Sequence, residues 1–156
     1  EKDFTDAGSN ISELVQNLTP VQLLRARLSV EPAIAREAAI QASESDVKRI
    51  NAARLDAVEA KSWSNYETAD DLLHQEIAKA TQNPLLISMF EYLNSVRRAV
   101  SWNKVVRMTD RPATNHKSFK EHAEICVAIE GRNANEAQLA MRTHLISVSN
   151  RLFGEG

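Results

Sequence analysis

Four side chains of this sequence have the types and spacing to hold one metal ion. Asp70 and His74 lie in "TADDLLHQEIAKATQN", residues 68–83. On a helix, residues four apart share a face about 6 Å apart, so both can reach one ion. Turned at 100° per residue, Asp70 falls on the stripe of Tyr66, Ala69, Leu73 and Ile77, and His74 borders it. His122 falls among Phe119, Ile125, Cys126 and Ile129, and His144 shares a stripe with Ala137, Ala140, Met141 and Val148. His116 falls off its apolar stripe and is expected in solvent. A single inward histidine is most often a core residue bonded to backbone or a neighbour. A lone Asp-x-x-x-His is often a surface ion pair. A buried carboxylate without a partner is costly, however. Three inward imidazoles and one inward carboxylate form an N3O ligand set. Such a set suits a divalent transition metal: zinc first, with nickel, manganese or iron as alternatives.

The arginines supply a second chemistry. Arg25 and Arg27 fall on the first helix read, and Arg97, Arg98 and Arg107 on the long fifth. Most read as solvated or snorkelling. Arg27 lies near the apolar side with Leu23, Leu24 and Glu31, where a guanidinium could grip a carboxylate ligand by two hydrogen bonds. Beside an open metal position it would complete an anion pocket. A metal-dependent enzyme acting on a small carboxylate is the alternative reading. It lacks a general base, since Glu67 and Glu76 are expected to face outward. A third reading is a closed, purely structural metal site. Cys126 reads as a small buried thiol, and Trp63 and Trp102 as packing residues. There is no Gly-rich phosphate loop, no G-x-S-x-G and no basic base-reading helix.

Helices must position these groups. Thr19-Pro20 is a cap followed by an N1 proline, and "VQLLRARLSV" carries the helix to Glu31, where Pro32 is expected to break or kink it. "AIAREAAIQA" then reads as a separate helix. "SESD" at 43–46 caps the next. Ser64 or Asn65 is expected to cap the helix of Asp70. Asn83-Pro84 ends that helix and opens another, expected to run to Met108. After a loop near Thr109–Thr114, "NHKSFKEHAEICVAIEG" ends at Gly131, and Asn133 or Asn135 opens the last helix, which stops at Gly154. Residues 1–18 are polar and weakly patterned, and read as a linker or arm. The expected fold is all-α: an antiparallel bundle of six or seven helices around a central metal and ligand cavity, over 19–156.

Composition agrees. The chain has 156 residues, enough for one domain with a core that needs no staple. It is 43% hydrophobic and 26% charged, as in soluble globular proteins. Four Gly and four Pro are too few for the turns of an all-β protein. A net charge of −2 provides no basic field for nucleic acid. One cysteine excludes an internal disulfide and fits a reducing, cytoplasmic location. No long apolar run or signal peptide points to a membrane. The first residue is Glu1, not Met, which is expected of a fragment.

Three segments resemble one family. "RARLSVEPAIAREAA" is similar to the R-x-x-x-E-x-x-x-A-x-x-A-A opening of the FCD domain, the effector-binding domain of FadR-subfamily regulators in the GntR family. "DDLLHQEIAKATQNPLL" resembles its D-x-x-[FL]-H-x-x-[IL]-x-x-x-[ST]-x-N-x-x-[IL] segment. "EHAEICVAIEGRNANEAQLAMRTHL" resembles its H-x-x-I-x-x-A-I-x-x-x-[DN]-x-x-x-A-x-x-x-M-x-x-H segment. Leu73 stands where the family often has Phe, which bears on pocket shape. The resemblance spans about residues 20–153. It implies a metal held by Asp70, His74, His122 and His144, with Arg27 and Asn83 in the pocket. It implies a bacterial transcriptional regulator that senses a small organic or sugar acid, forms a homodimer, and binds DNA only through a winged helix-turn-helix absent from this chain. Residues 1–18 would then be the tail of the interdomain linker.

Overall fold

The computed structural model describes residues 5–100 and 107–152. Among these, seven α-helices and no strand occur: α1 (Thr5–Gln16), α2 (Pro20–Gln41), α3 (Glu44–Glu59), α4 (Trp63–Lys79), α5 (Pro84–Ala99), α6 (Lys117–Glu130) and α7 (Ala134–Leu152). The bundle is built around α2, which packs on α7, α6, α4 and α5, while α3 closes over α4 and α6. No described helix is long and apolar enough to cross a membrane.

Local chemistry sets most helix starts. Thr19 and Ser43 each form a full capping box, with Gln22 and Asp46 returning the bond to the cap backbone. Asn83 caps α5, its side chain accepting from the amides of Leu85 and Leu86. Asn133 accepts from the Glu136 amide at the start of α7. The cap of α4 is Ser62, two residues before the expected Ser64, because its hydroxyl takes the Asn65 amide.

Three expectations about elements are corrected. Pro32 does not divide α2, which continues through it to Gln41. A proline removes one hydrogen bond. Here the flanking turns are held by burial: Ile34, Ala35, Ala38 and Ala39 are all in the core. Within residues 1–18, read as a linker or arm with no element assigned, 5–16 form α1, which lies on α5. Leu14 and Leu18 line an apolar groove there with Leu23, Met89, Tyr92 and Val96. Finally, α5 ends at Ala99, and Arg107 lies in a loop rather than on a helix. Trp102, the expected course through 101–106 and the expected stop at Gly154 lie outside the described residues.

The core is a continuous apolar cluster drawn from α2, α3, α4, α5, α6 and α7, including Ile34, Ile50, Leu73, Ile77, Ile125, Ile129, Met141 and Leu145. Alanines on the buried side of α2 let neighbouring helices approach closely. A smaller aromatic cluster joins Trp63 and Tyr66 of α4 to Phe119 of α6 through their side chains.

Candidate metal and ligand site

Asp70 and His74 project from α4, His122 from α6 and His144 from α7. One ligand atom from each of the four lies within 4.8 Å of all the others. Donors 2.0–2.2 Å from a common ion would be at most about 4.4 Å apart. The three histidines are buried, while the Asp70 side chain keeps 29% exposure. Asp70, His74 and His144 line a cavity of about 570 Å³, together with Arg27, Trp63, Glu67, Asp71, Arg97, Arg98 and Arg107, while His122 lies fully buried behind them. That volume is ordinary for a small-molecule site. A second cavity of about 490 Å³, between α1, α2 and α5, is lined almost wholly by apolar side chains and carries none of this chemistry.

The rings are oriented from behind. His74 Nδ1 lies 3.0 Å from Glu31 Oε1, and His144 Nδ1 lies 2.7 Å from Glu121 Oε1. Each carboxylate faces Nδ1 from behind and turns Nε2 towards the cluster, where His74 Nε2 lies 3.6 Å from Asp70 Oδ1; a carboxylate behind Nδ1 is the arrangement that orients metal-binding histidines. Glu31 also accepts from Arg27 Nε at 2.6 Å. Glu121 is further held by Ser147 and Arg151. His122 differs. Its Nε2 is 2.9 Å from Asp70 Oδ1, off the line of a hydrogen bond, and neither of its ring nitrogens makes one. Two buried polar atoms left in this way cost free energy in the polypeptide alone.

The electrostatics follow from the packing. Burial works against charge on Glu31, but Arg27 and His74 together lower its carboxyl to about 2. Burial likewise opposes ionisation of Asp70, yet the imidazoles of His122 and His74 hold it well below the usual carboxylate range. His74, between Asp70 and Glu31, is raised to about 9 against the pull of its burial. Burial dominates at His144, lowering it to about 4, so it is a neutral ring donating to Glu121. Glu121 is lowered to about 2, its burial outweighed by His144, Arg151 and Ser147.

The structure brings together Asp70, His74, His122, His144 and Arg27. It does not bring Asn83 to them. Asn83 is exposed, does not line the cavity, and spends its side-chain oxygen on two backbone amides. Glu76 does not face outward either, being buried and paired with Arg49 at 3.4 Å. Glu67 is exposed as expected. His116 is only partly exposed. It caps α6 and packs its ring against Trp63, Tyr66 and Phe119. Trp63 packs there too, but it also lines the cavity. Cys126 is buried.

Sequence reasoning missed Glu31 and Glu121 as partners of the histidines. The i, i+4 spacing of Arg27 and Glu31 was a usable signal. Glu121 meets His144 from another helix, and no spacing reports that contact. Asp71, which draws in Asn94, Arg97 and Arg98 from α5, was equally hidden.

Comparisons with known proteins place this all-α bundle and its polar, acid-and-imidazole cavity in a family. Residues 22–147 match the FCD domain, and the chain belongs to that family. It is 32% identical over 137 residues to the "Uxu operon regulator" of Haemophilus influenzae, covering 86% of this chain and 51% of that protein. The "HTH-type transcriptional regulator LutR" of Bacillus subtilis is 29% identical over 136 residues, 85% of this chain and 62% of that one. The chain thus spans little more than half the length of these curated relatives. Two solved structures share the fold. "Streptococcus agalactiae GntR" has a TM-score of 0.67 at 22% identity, over 90% of this chain and 60% of its own. "E. coli McbR/YncC" has a TM-score of 0.72 at 12% identity, over 88% of this chain and 71% of its own. The chain is an FCD domain, and the curated relatives it matches are named as regulators of transcription or of an operon. FCD is a regulatory domain, and these findings do not support the enzyme reading.

Proposed function

We propose that this domain senses a small carboxylate, an organic or sugar acid, at a divalent transition metal held by Asp70, His74, His122 and His144. The observation that carries the reading is His122. Two buried ring nitrogens without hydrogen bonds, against a carboxylate and two other imidazoles, are accounted for if an ion takes one of them. The bound metal would act as a Lewis acid, with positions left open to a carboxylate. The protein's own residues do the rest. Glu31 and Glu121 orient two of the imidazoles and hold their Nδ1 protons. Arg27, anchored by Glu31 and lining the cavity, neutralises and orients the ligand's acid group.

Binding would favour one packing of α2, α4, α6 and α7, since α2, α4 and α7 line the cavity and α6 supplies His122. A ligand shifts such an equilibrium only by binding one arrangement better than another. In a homodimer the shift would change the spacing of two winged helix-turn-helix domains outside this chain, and so their fit to a two-fold operator. On this reading α1 leads from the linker into the sensor.

The test is metal content by elemental mass spectrometry, with wild type beside His122→Ala, followed by thermal denaturation with acids. Near one equivalent of metal, lost in the variant, and an acid-dependent rise in Tm are expected. No metal in either protein after incubation with zinc, nickel or manganese would overturn the site.

A further inference from the structure

The cavity has a second cationic end that the metal residues do not use. Arg107 lines it from the loop after α5, with its guanidinium carbon 3.9 Å from the centre of the Trp63 ring. Trp63 also fastens that loop. Its backbone N–H donates to Asp110 O at 3.2 Å, and its indole Nε1–H donates to Thr109 O at 2.9 Å. Stacking engages the face of the guanidinium and leaves its edge, where the N–H donors are, available.

The cavity's arginines are held very differently. Arg97 donates to Asp71 at 2.7 Å and to Asn94 at 2.9 Å, and Arg98, which also lines the cavity, donates to the same Asp71 at 3.2 Å, so both are tied to the packing of α5 on α4. Among the described residues, Arg107 has one carboxylate partner, Glu67 Oε1 at 3.2 Å. Glu67 is 61% exposed, and ion pairs so exposed exchange readily. Arg27 belongs to the opposite end, because Glu31 bridges it to His74. Glu67 and His74 are seven residues apart on α4, a rise of about 10 Å along the helix axis. Asp70 lies between them.

We propose that the cavity recognises a small dicarboxylic acid. One carboxylate goes to Arg27 and the metal-binding residues, and the other displaces Glu67 from Arg107. This rests on the acid-sensing reading above. It adds a ligand class, and it makes Arg107, positioned by Trp63, the residue that distinguishes a diacid from a monoacid.

The experiment is calorimetric titration of the zinc-loaded chain with two matched pairs, adipate against hexanoate and glucarate against gluconate. Within each pair the carbon chain is the same length and only the far carbon changes, carboxylate or not. In wild type the diacid of a pair is expected to bind about ten-fold tighter than its partner. Arg107→Gln should bring that ratio close to one, and Arg27→Gln should weaken both members. Glu67→Gln removes the competing carboxylate and should tighten diacid binding about three-fold, an increase that loss of a merely structural contact would not produce. Equal binding within both pairs, a ratio that survives Arg107→Gln, or weaker diacid binding in Glu67→Gln would overturn the inference and leave acid sensing intact. No binding of any of the four acids by wild type would overturn both.

Discussion

Asp70 shows how a residue's environment, more than its type, sets its role. Its neighbour Asp71 has the same side chain but turns to Asn94, Arg97 and Arg98, and becomes a tie between α4 and α5. Asp70 faces two imidazoles instead. The inward turn of Asp70 was legible from 100° periodicity alone, because a stripe position follows from helix geometry. The carboxylates behind the histidines were not, since Glu121 reaches His144 only after α6 and α7 have paired. Glu121→Gln tests that second contact. It keeps the shape but removes the charge that holds the Nδ1 proton, and zinc affinity in a competitive chelator titration should fall 10- to 100-fold. Cys126 gives a prediction of the opposite kind. Burial pushes its thiol up to about 12, so almost no thiolate exists at neutral pH. Its reaction with a disulfide reagent should be negligible in the native protein and should appear only as urea unfolds the chain.

At the scale of elements, caps and periodicity carried most of the reading. Thr19, Ser43 and Asn83 cap helices as their sequence context implies, because a cap needs only residues within one turn. Pro32 and α1 were misread because tertiary packing outweighed local preference: α2 is buried along the stretch that includes its proline, and α1 is a helix that rests on α5. Asp46 belongs to this scale. It closes the α3 capping box, accepts from Gln82 across the α4–α5 turn, and pairs with Arg49. Burial opposes its ionisation, but the Ser43 amide and hydroxyl, Gln82 and Arg49 lower its carboxyl below the ordinary value. A depressed native value means stability that is present above the unfolded-state pKa and lost as pH falls through the native one. Asp46→Asn should therefore lower the urea midpoint at pH 7, and the gap from wild type should narrow between pH 4 and pH 3.

At the scale of the molecule, the apolar core and the polar floor are adjacent but distinct. Leu73, Ile77, Ile125, Met141 and Leu145 pack without help from the metal-binding residues. Removing the metal by chelation should then lower Tm and abolish acid-dependent stabilisation while the helical circular dichroism at 25 °C persists. Unfolding on chelation would instead mark the closed, structural metal site. The sequence by itself determined the helical class, most helix boundaries and the inward placement of Asp70, His74, His122 and His144. Those features depend on residues within a few turns of one another, and helical geometry converts spacing directly into direction. Only the tertiary structure decided which carboxylate stands behind which histidine, that Asn83 serves a cap rather than the pocket, and that Arg107 and Trp63 close the far side of the cavity. The first and last of those contacts join residues 23 to 46 positions apart in the chain, and no local rule of spacing encodes such distances.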